Sequence, residues 1–209
     1  MNNLLLFPPD WLPSEPYLSL PSLASVLRPA GHEVVQMDVN VEMYDMFVSR
    51  QFLEHVLQRI AHERQHLLEV QEKRQLDEEE QELLDKLLTC TPELFEQFSN
   101  DVERAKKILR SQAFYDIDQL EWATNCLHQV MTLISLGYYP AQICFPPIET
   151  DIVYKPFMSS EIIESLDDDQ INIYRDVYAM LIRPVMQRER PAMVGISVVQ
   201  QKQLIPTFT

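Results

Sequence analysis

The sequence predicts an α/β protein, an incomplete parallel Rossmann-like sheet of three strands that carries a large, mostly α-helical insertion. Two short strand patterns occur within the first 40 residues and a third follows residue 190, while the long stretch between them has a helical period. Only three glycines occur in the chain, whereas a complete doubly wound domain uses glycine in several turns and ligand loops. The low glycine count therefore favours either a mostly helical chain or an incomplete α/β domain.

The first strand is predicted at residues 4–7, where four apolar residues, LLLF, stand together. It runs into a loop at 8–16 that contains four prolines, which cannot occupy a helix interior. Apolar residues then recur at helical spacing from Leu18 to Leu27, and the helix is predicted to end near Gly31.

A second strand is predicted in HEVVQMDVN, and it finishes at Asp38 and Asn40. The order strand, loop, helix, strand implies two parallel strands joined by a right-handed crossover. Near the end of the chain, RPAMVGISVV restores the buried-strand pattern, and QQKQLIPTFT is predicted as a loop that enters another helix. These observations assign 1–40 and 190–209 to the Rossmann-like part.

The insertion is predicted to cover residues 41–189, where the hydrophobic period is helical. Its helices are predicted at 47–75, 77–88, 92–109, 117–136, 160–166 and 168–188. The last of these begins in an acid-rich turn, Asp167 to Asp169, of the kind that suits a helix N-terminus. The proline- and aromatic-rich residues 138–157 are predicted to be a loop or extended segment.

The sheet pattern stops with its third strand, which leaves one strand edge unpaired. We therefore expect these 209 residues to be the N-terminal piece of a longer protein. We also expect that the unpaired third strand lets the piece form a homodimer.

Composition excludes several classes of partner. With 17 basic and 32 acidic residues the net charge is −15, which repels phosphate backbones and anionic lipids and argues against nucleic acid or membrane as partner. No apolar run approaches the ~20 residues of a membrane span, so a cytoplasmic location is predicted. The three cysteines are widely spaced and odd in number, which suggests neither disulfides nor a metal site.

A literal HExxH motif lies at residues 62–66, and on a helix it could hold zinc as in a metallopeptidase. At about 100° per residue, however, His62 and His66 fall on the side of the helix opposite Ile60 and its apolar stripe. A catalytic zinc needs a partly buried pocket and a third ligand. The metallopeptidase is therefore only a remote alternative, and a solvated helix face is the preferred interpretation.

The two ends of the chain together resemble a known family. LLLFPPDWLPSEPYLSLPSLASVLRPAGHEVVQMDVN, followed much later by PAMVGISVVQQKQLIPTF, resembles the start of the cobalamin-binding domain that precedes the radical S-adenosylmethionine domain in cobalamin-dependent radical enzymes. The positions that carry the resemblance are Pro16, Leu18, Leu20, Leu23, Ala24, Leu27, Ala30, Gly31, His32, Glu33, Val34 and Asp38, then Val194, Gly195, Ile196 and Ser197.

The resemblance implies a function for the intact protein, namely methyl transfer or a related radical modification with cobalamin, S-adenosylmethionine and a [4Fe-4S] cluster. It implies that the loop after the first strand and residues 197–200 form a shelf beneath the corrin ring. The cofactor-binding residues it implies are Trp11, Tyr17, Asp38, Ser197 and Gln200. Asp38 could instead cap a turn, and Trp11 and Tyr17 could instead cover the first helix.

The chain departs from the family at several points. The loop at 8–16 contains no histidine, so cobalamin would be bound without a protein ligand to cobalt. The glycine pair that admits the nucleotide tail and the CxxxCxxC cluster motif are absent. This chain by itself is therefore not expected to be catalytic, and it would depend on a downstream radical S-adenosylmethionine domain of the same polypeptide.

The insertion would shield the corrin or recognise a peptide or small-molecule substrate. The alternative is a helical protein or peptide interaction module on a scaffold without cofactor.

Overall fold

The computed structural model describes residues 2–144, 149–151 and 153–209. It divides into two compact units, the first formed by Met1–Asp45 and Pro146–Thr209 and the second by Met46–Phe145. We call them the α/β unit and the helical unit. The predicted insertion boundaries at 41 and 189 stay a prediction, and the helical unit covers the first part of that range.

The three strands of the parallel sheet lie at the two ends of the chain. In chain order the elements are β1 (Asn2–Phe7), α1 (Ser19–Leu27), β2 (Glu33–Asp38), α2 (Val39–Phe47), α3 (Arg50–Lys73), α4 (Glu78–Leu88), α5 (Pro92–Leu109), α6 (Ile117–Gly137), β3 (Gln142–Cys144), β4 (Glu149–Asp151), α7 (Ser159–Asp167), α8 (Ile173–Glu189), β5 (Met193–Ile196) and α9 (Leu204–Phe208). Short 3₁₀ helices lie at Gln112–Tyr115 and Gln201–Gln203.

The sheet of the α/β unit has three parallel strands in the order β2-β1-β5. In the central strand β1, Leu4 lies opposite Val35 on one side and Val194 on the other. All four apolar residues of the LLLF run are buried, as expected for a strand with a neighbour on each side. The predicted fold class, a three-stranded parallel Rossmann-like sheet with a helical insertion, is confirmed.

Helix α1 covers one face of this sheet. Leu5 and Phe7 pack with Leu20 and Ala24 in one buried cluster, because alternate residues of a strand point to the same face. After the helix, Gly31 has φ +86°, a conformation that glycine adopts without steric cost. The chain thus turns back into β2 where the sequence predicts the helix to end.

The helical unit is built from amphipathic helices. Ser49, Asp77 and Thr91 accept hydrogen bonds from the first turns of α3, α4 and α5, which is the usual role of such residues at a helix N-terminus. Helices α3 and α6 approach closely at Gly137, where an added Cβ would lie 2.9 Å from Cγ1 of Val56. Among the described residues, no helix of the chain is long and apolar enough to cross a bilayer.

The largest differences from the predicted helices are at α2 and α8. Helix α2 was not predicted, since its nine residues carry only a weak apolar period. Helix α8 begins at Ile173, after the cap Asn172, and not at residue 168. Oδ1 of Asp168 accepts hydrogen bonds from the backbone N–H groups of Gln170 and Ile171, both at 3.0 Å. This local turn competes with helix formation, as aspartate side chains commonly do.

Candidate functional site at the carboxyl ends of the sheet

The carboxyl ends of the three strands meet at one edge of the α/β unit. The chain passes from β1 to β2 on one side and returns to β5 on the other, so the strand order reverses between β1 and β5. Ligands of open α/β sheets bind outside the carboxyl ends of the strands at such a point. The backbone N–H of Ser197 donates to the carbonyl of Leu6 at 2.9 Å, which places Ser197 beside the end of β1.

An aromatic cluster stands at the end of β1. The rings of Phe7 and Tyr17 stack with centroids 5.5 Å apart and an interplanar angle of 13°. Trp11 meets both rings edge-on, at 6.3 Å from Phe7 and 5.6 Å from Tyr17. Phe7 is buried, whereas Tyr17 is 41% exposed. The structure therefore brings two predicted site residues, Trp11 and Tyr17, together around a buried ring and leaves one aromatic side chain accessible.

Trp11 is fixed in place by two hydrogen bonds. Its backbone N–H donates to Oδ1 of the buried Asn40 at 3.0 Å, and its indole Nε1 donates to the carbonyl of Glu15 at 2.6 Å. Because Asn40 follows β2, the first of these bonds ties the loop after β1 to the end of the neighbouring strand. The proline-rich loop is thus held by side chains as well as by its prolines.

Asp10 is the most constrained residue of this loop. Its φ is +72°, a left-handed conformation that aspartate tolerates better than most residues. The hydroxyl of the buried Tyr174, in α8, donates to Oδ2 of Asp10 at 2.8 Å, and Nε2 of Gln200 donates to its carbonyl. These contacts select one conformation of the loop, and they use the side-chain amide of the predicted site residue Gln200.

Gln203 joins the loops that follow β1 and β5. It is fully buried, and its Nε2 donates to the carbonyl of Pro8 at 2.9 Å. Its Oε1 accepts from the backbone N–H of Val199 at 2.9 Å. A buried amide that satisfies two backbone groups holds both segments in register.

Asp38, also a predicted site residue, caps the chain at the start of α2. Its Oδ1 accepts a hydrogen bond from the backbone N–H of Val41 at 3.1 Å. Partial burial, and secondarily the charge of Asp38, raise the pKa of Glu42. The structure thus gives Asp38 the turn role that the sequence left open beside ligand contact, and ligand contact by Asp38 stays a prediction.

A cavity of about 300 Å³ lies on the other face of the sheet. Its wall includes Leu6 and Ile196 from the strands, Tyr178 from α8 and Pro206 from α9. The hydroxyl of Tyr178 donates to the carbonyl of Pro206, and burial, with a smaller contribution from Asp10, raises the pKa of Tyr178. Since Leu6 and Phe7 point to opposite faces, this cavity is separate from the aromatic cluster.

Sequence reasoning missed four residues of this edge: Asp10, Asn40 as a partner of Trp11, Tyr174 and Gln203. Only Asp10 carried a local signal, since it sits between Pro9 and Trp11 in a tight loop. The others act through partners 29 to 195 positions away, and no spacing within a single segment indicates such pairs.

The HExxH motif lies elsewhere, on α3 of the helical unit. His62 and His66 are exposed, whereas Leu53, Val56 and Ile60 on the other side of the helix are buried. The predicted apolar stripe of this helix is confirmed. In the part of the chain that the structure describes, no three His, Cys, Asp or Glu side chains are grouped as metal ligands.

The chain was compared with protein families, curated proteins and solved structures. No protein-family model matches the chain, and neither a curated protein nor a solved structure shows significant similarity to it.

Proposed function

We propose that the α/β unit is the N-terminal corrin-binding segment of a cobalamin-dependent radical S-adenosylmethionine enzyme. The observation that carries the proposal is the junction of two loops at the reversal point of a parallel sheet, with an accessible aromatic side chain at the end of β1. The sequence resemblance supplies the identity of the ligand. The fold is a reason to look for a ligand at this edge, and the resemblance is the reason to expect a corrin.

The residues present fit a corrin ring better than a dinucleotide. A dinucleotide needs glycines through which the backbone approaches the pyrophosphate, but this loop contains prolines and aromatic residues. A corrin is broad, flat and mostly apolar, and the exposed ring of Tyr17, which is stacked on the buried Phe7, offers apolar surface to such a molecule. The half-buried Ser197 follows β5, and under this proposal its hydroxyl would hydrogen-bond to the nucleotide tail.

The five predicted site residues divide into two groups under this proposal. Trp11, Tyr17 and Ser197 would contact the cofactor. Asp38 and Gln200 would position the contacting loops, since their side chains are bonded to backbone groups of this edge. No histidine follows β1 in the loop at 8–16, so no protein nitrogen from that loop would ligate cobalt.

Cobalamin, when bound, would carry the methyl group that the intact protein transfers. The downstream domain of the same polypeptide would hold S-adenosylmethionine and the [4Fe-4S] cluster, and the product would be a methylated or otherwise radically modified peptide or small molecule. The α/β unit itself would bind the corrin, orient it and exclude water from one of its faces.

Dicyanocobinamide, a corrin without the nucleotide tail, tests this proposal on the 209-residue chain, because it does not depend on a tail pocket. We expect saturable binding with a Kd of about 0.1 mM, measured by equilibrium dialysis with detection of the corrin absorbance. Absence of saturable binding up to about 1 mM would overturn the proposal. With aquacobinamide, the visible spectrum should show no histidine ligation.

Two alanine variants locate the binding. Tyr17→Ala removes the exposed ring of the aromatic cluster and should weaken dicyanocobinamide binding by about tenfold, as expected for loss of one good stacking contact. Tyr115→Ala is the matched control, since Tyr115 is 81% exposed and lies in the 3₁₀ helix of the helical unit. Equal affinity of both variants would place any binding away from the aromatic cluster.

A further inference from the structure

The helical unit contains a cavity of about 650 Å³. It lies between the end of α4, the start of α5, the end of α6 and β3. Its lining residues lie between positions 86 and 142. All of them belong to one compact unit, so the cavity is a property of that unit.

This cavity has the dimensions of a ligand site. Voids between well-packed side chains rarely exceed the size of a water molecule, whereas small-molecule sites occupy about 300–1,000 Å³. Much of the wall is apolar, with contributions from Leu94, Phe98, Leu133, Leu136 and Ala141. A cavity of this size with an apolar wall would gain hydrophobic stabilisation from an apolar occupant.

The charged groups at the cavity are already paired. Lys86 is the charged residue in its lining, and its Nζ lies 2.7 Å from Oε1 of Glu82. The hydroxyl of Tyr139 donates to Oε1 of Glu79 at 2.6 Å, and this hydrogen bond, with smaller contributions from burial and the charges of Glu79 and Glu82, raises the pKa of Tyr139 to about 12. An anionic ligand would also approach a chain of net charge −15, and the described lining residues include no carboxylate that could pair with a cationic ligand.

Uncharged polar groups complete the lining. Gln129, Thr132 and Gln142 are exposed, and amide and hydroxyl groups can both donate and accept hydrogen bonds. An apolar wall with a few such groups is the usual composition of a site for a small organic molecule, in which the polar groups fix its orientation.

We propose that this cavity binds a small, uncharged, mainly apolar organic molecule, with its polar substituents at Gln129, Thr132 and Gln142. The sequence left the insertion open as a recogniser of a peptide or small-molecule substrate, and the cavity's size and paired charges favour the small molecule. The inference does not depend on the corrin proposal, since its residues lie in the other unit.

Two related fluorescent probes test both the site and the class of ligand on the full 209-residue chain. N-phenylnaphthylamine is neutral, and anilinonaphthalene sulfonate has the same aromatic body with one negative charge. We expect the neutral probe to bind about tenfold more tightly. Equal or tighter binding of the sulfonate would overturn the uncharged class.

A pair of tryptophan variants on α6 locates the probe. Thr132→Trp enlarges an exposed side chain in the cavity wall and should weaken binding of the neutral probe by about tenfold. Asn125→Trp is the matched control, because Asn125 is exposed on the same helix and is not part of the lining; its affinity should change less than about twofold. The melting curves of both variants must match that of the parent chain, which shows that both are correctly folded. If correctly folded Thr132→Trp binds the neutral probe as the parent does, the cavity is not the site.

Cys90 gives a second readout that does not depend on a substitution in the cavity. Cys90 lines the cavity and is 6% exposed. In a Cys144→Ser background, which removes the exposed thiol, reaction of Cys90 with neutral dithiodipyridine should slow when the neutral probe is bound. The buried Cys126, which is not in the lining, should react at the same rate with and without the probe. An unchanged rate at Cys90 under saturating probe would contradict the proposal.

Discussion

The capping box of α4, in the helical unit, and the loop junction at Gln203, in the α/β unit, differ in how far apart in sequence their contacts lie. At the start of α4, Asp77 and Glu80 complete a capping box over three positions. At the carboxyl ends of the sheet, Gln203 binds the carbonyl of Pro8 across 195 positions. Local contacts can be inferred from spacing alone, whereas long-range ones depend on the completed fold. We therefore expect a substitution at the loop junction to have a larger effect than one at the capping box.

The largest expected effect comes from the core of the central strand. Leu4→Ala removes a fully buried side chain and should lower the free energy of unfolding of the α/β unit by about 2–5 kcal/mol. The chain has two tryptophans, Trp11 in the α/β unit and Trp122 in the helical unit. In a Trp122→Phe background, Trp11 is the remaining tryptophan. Its fluorescence during urea unfolding then measures the stability of the α/β unit in this variant.

Leu84→Ala is the counterpart in the helical unit, since Leu84 is 2% exposed. In a Trp11→Phe background, Trp122 reports on its unfolding, and Arg104 lies 4.1 Å over the Trp122 ring, so the environment of this indole changes on unfolding. We expect a loss of about 2–5 kcal/mol here as well. The comparison fails if Leu4→Ala leaves the Trp11 transition in place, since that strand would then not be the core of its unit.

A smaller effect is expected at the junction of the two loops. Gln203→Leu preserves much of the side-chain volume but removes the donor to Pro8 and the acceptor for Val199. A buried carbonyl without its donor costs about 1–3 kcal/mol, and the half-buried Val199 N–H can regain water. Urea unfolding followed by Trp11 measures this loss. Gln201→Leu, at an exposed position of the same 3₁₀ helix, should stay within about 0.5 kcal/mol.

Gln203→Leu also tests whether the junction of the two loops matters for ligand binding. If Gln203 holds the loops that would contact a corrin, Gln203→Leu should also weaken dicyanocobinamide binding, while Gln201→Leu should not. A loss of stability with unchanged binding would restrict Gln203 to a structural role.

These differences explain which features could be predicted from the sequence. The hydrophobic period predicted α5 at residues 92–109, since the information lies within the helix itself. The apolar run LLLF and the pattern around Gly195 predicted the parallel strands. Tyr174 could not be connected with Asp10 in this way, because their contact depends on where α8 packs. The start of α8 was wrong for a local reason, since the carboxylate of Asp168 bonds to the backbone of its own turn.

The smallest expected effect tests a contact that belongs to one local segment, the capping box of α4. The side chain of Arg74 lies 2.5 Å from Glu80, and this hydrogen bond, together with that from the backbone of Asp77, lowers the pKa of Glu80 to about 2 from its ordinary value of 4.5. Between these two values the unfolded chain binds more protons than the folded one. The contribution of Glu80 to stability is therefore complete above pH 4.5 and is lost as the pH falls toward 2.

Glu80→Gln should remove this part of the pH dependence, because the amide does not titrate in that range. The difference in unfolding free energy between the parent chain and the variant, reported by Trp122, should therefore shrink as the pH falls from 4.5 toward 2. Glu78→Gln is the control, since Glu78 lies in the same first turn of α4 but is not the partner of Arg74. If both variants follow the same pH profile, the general charge of the helix N-terminus, and not the Arg74–Glu80 contact, sets the acid sensitivity of this segment. Such a result would mean that the stability of this segment in acid depends more on the summed charge of the acidic turn than on the single contact between Arg74 and Glu80.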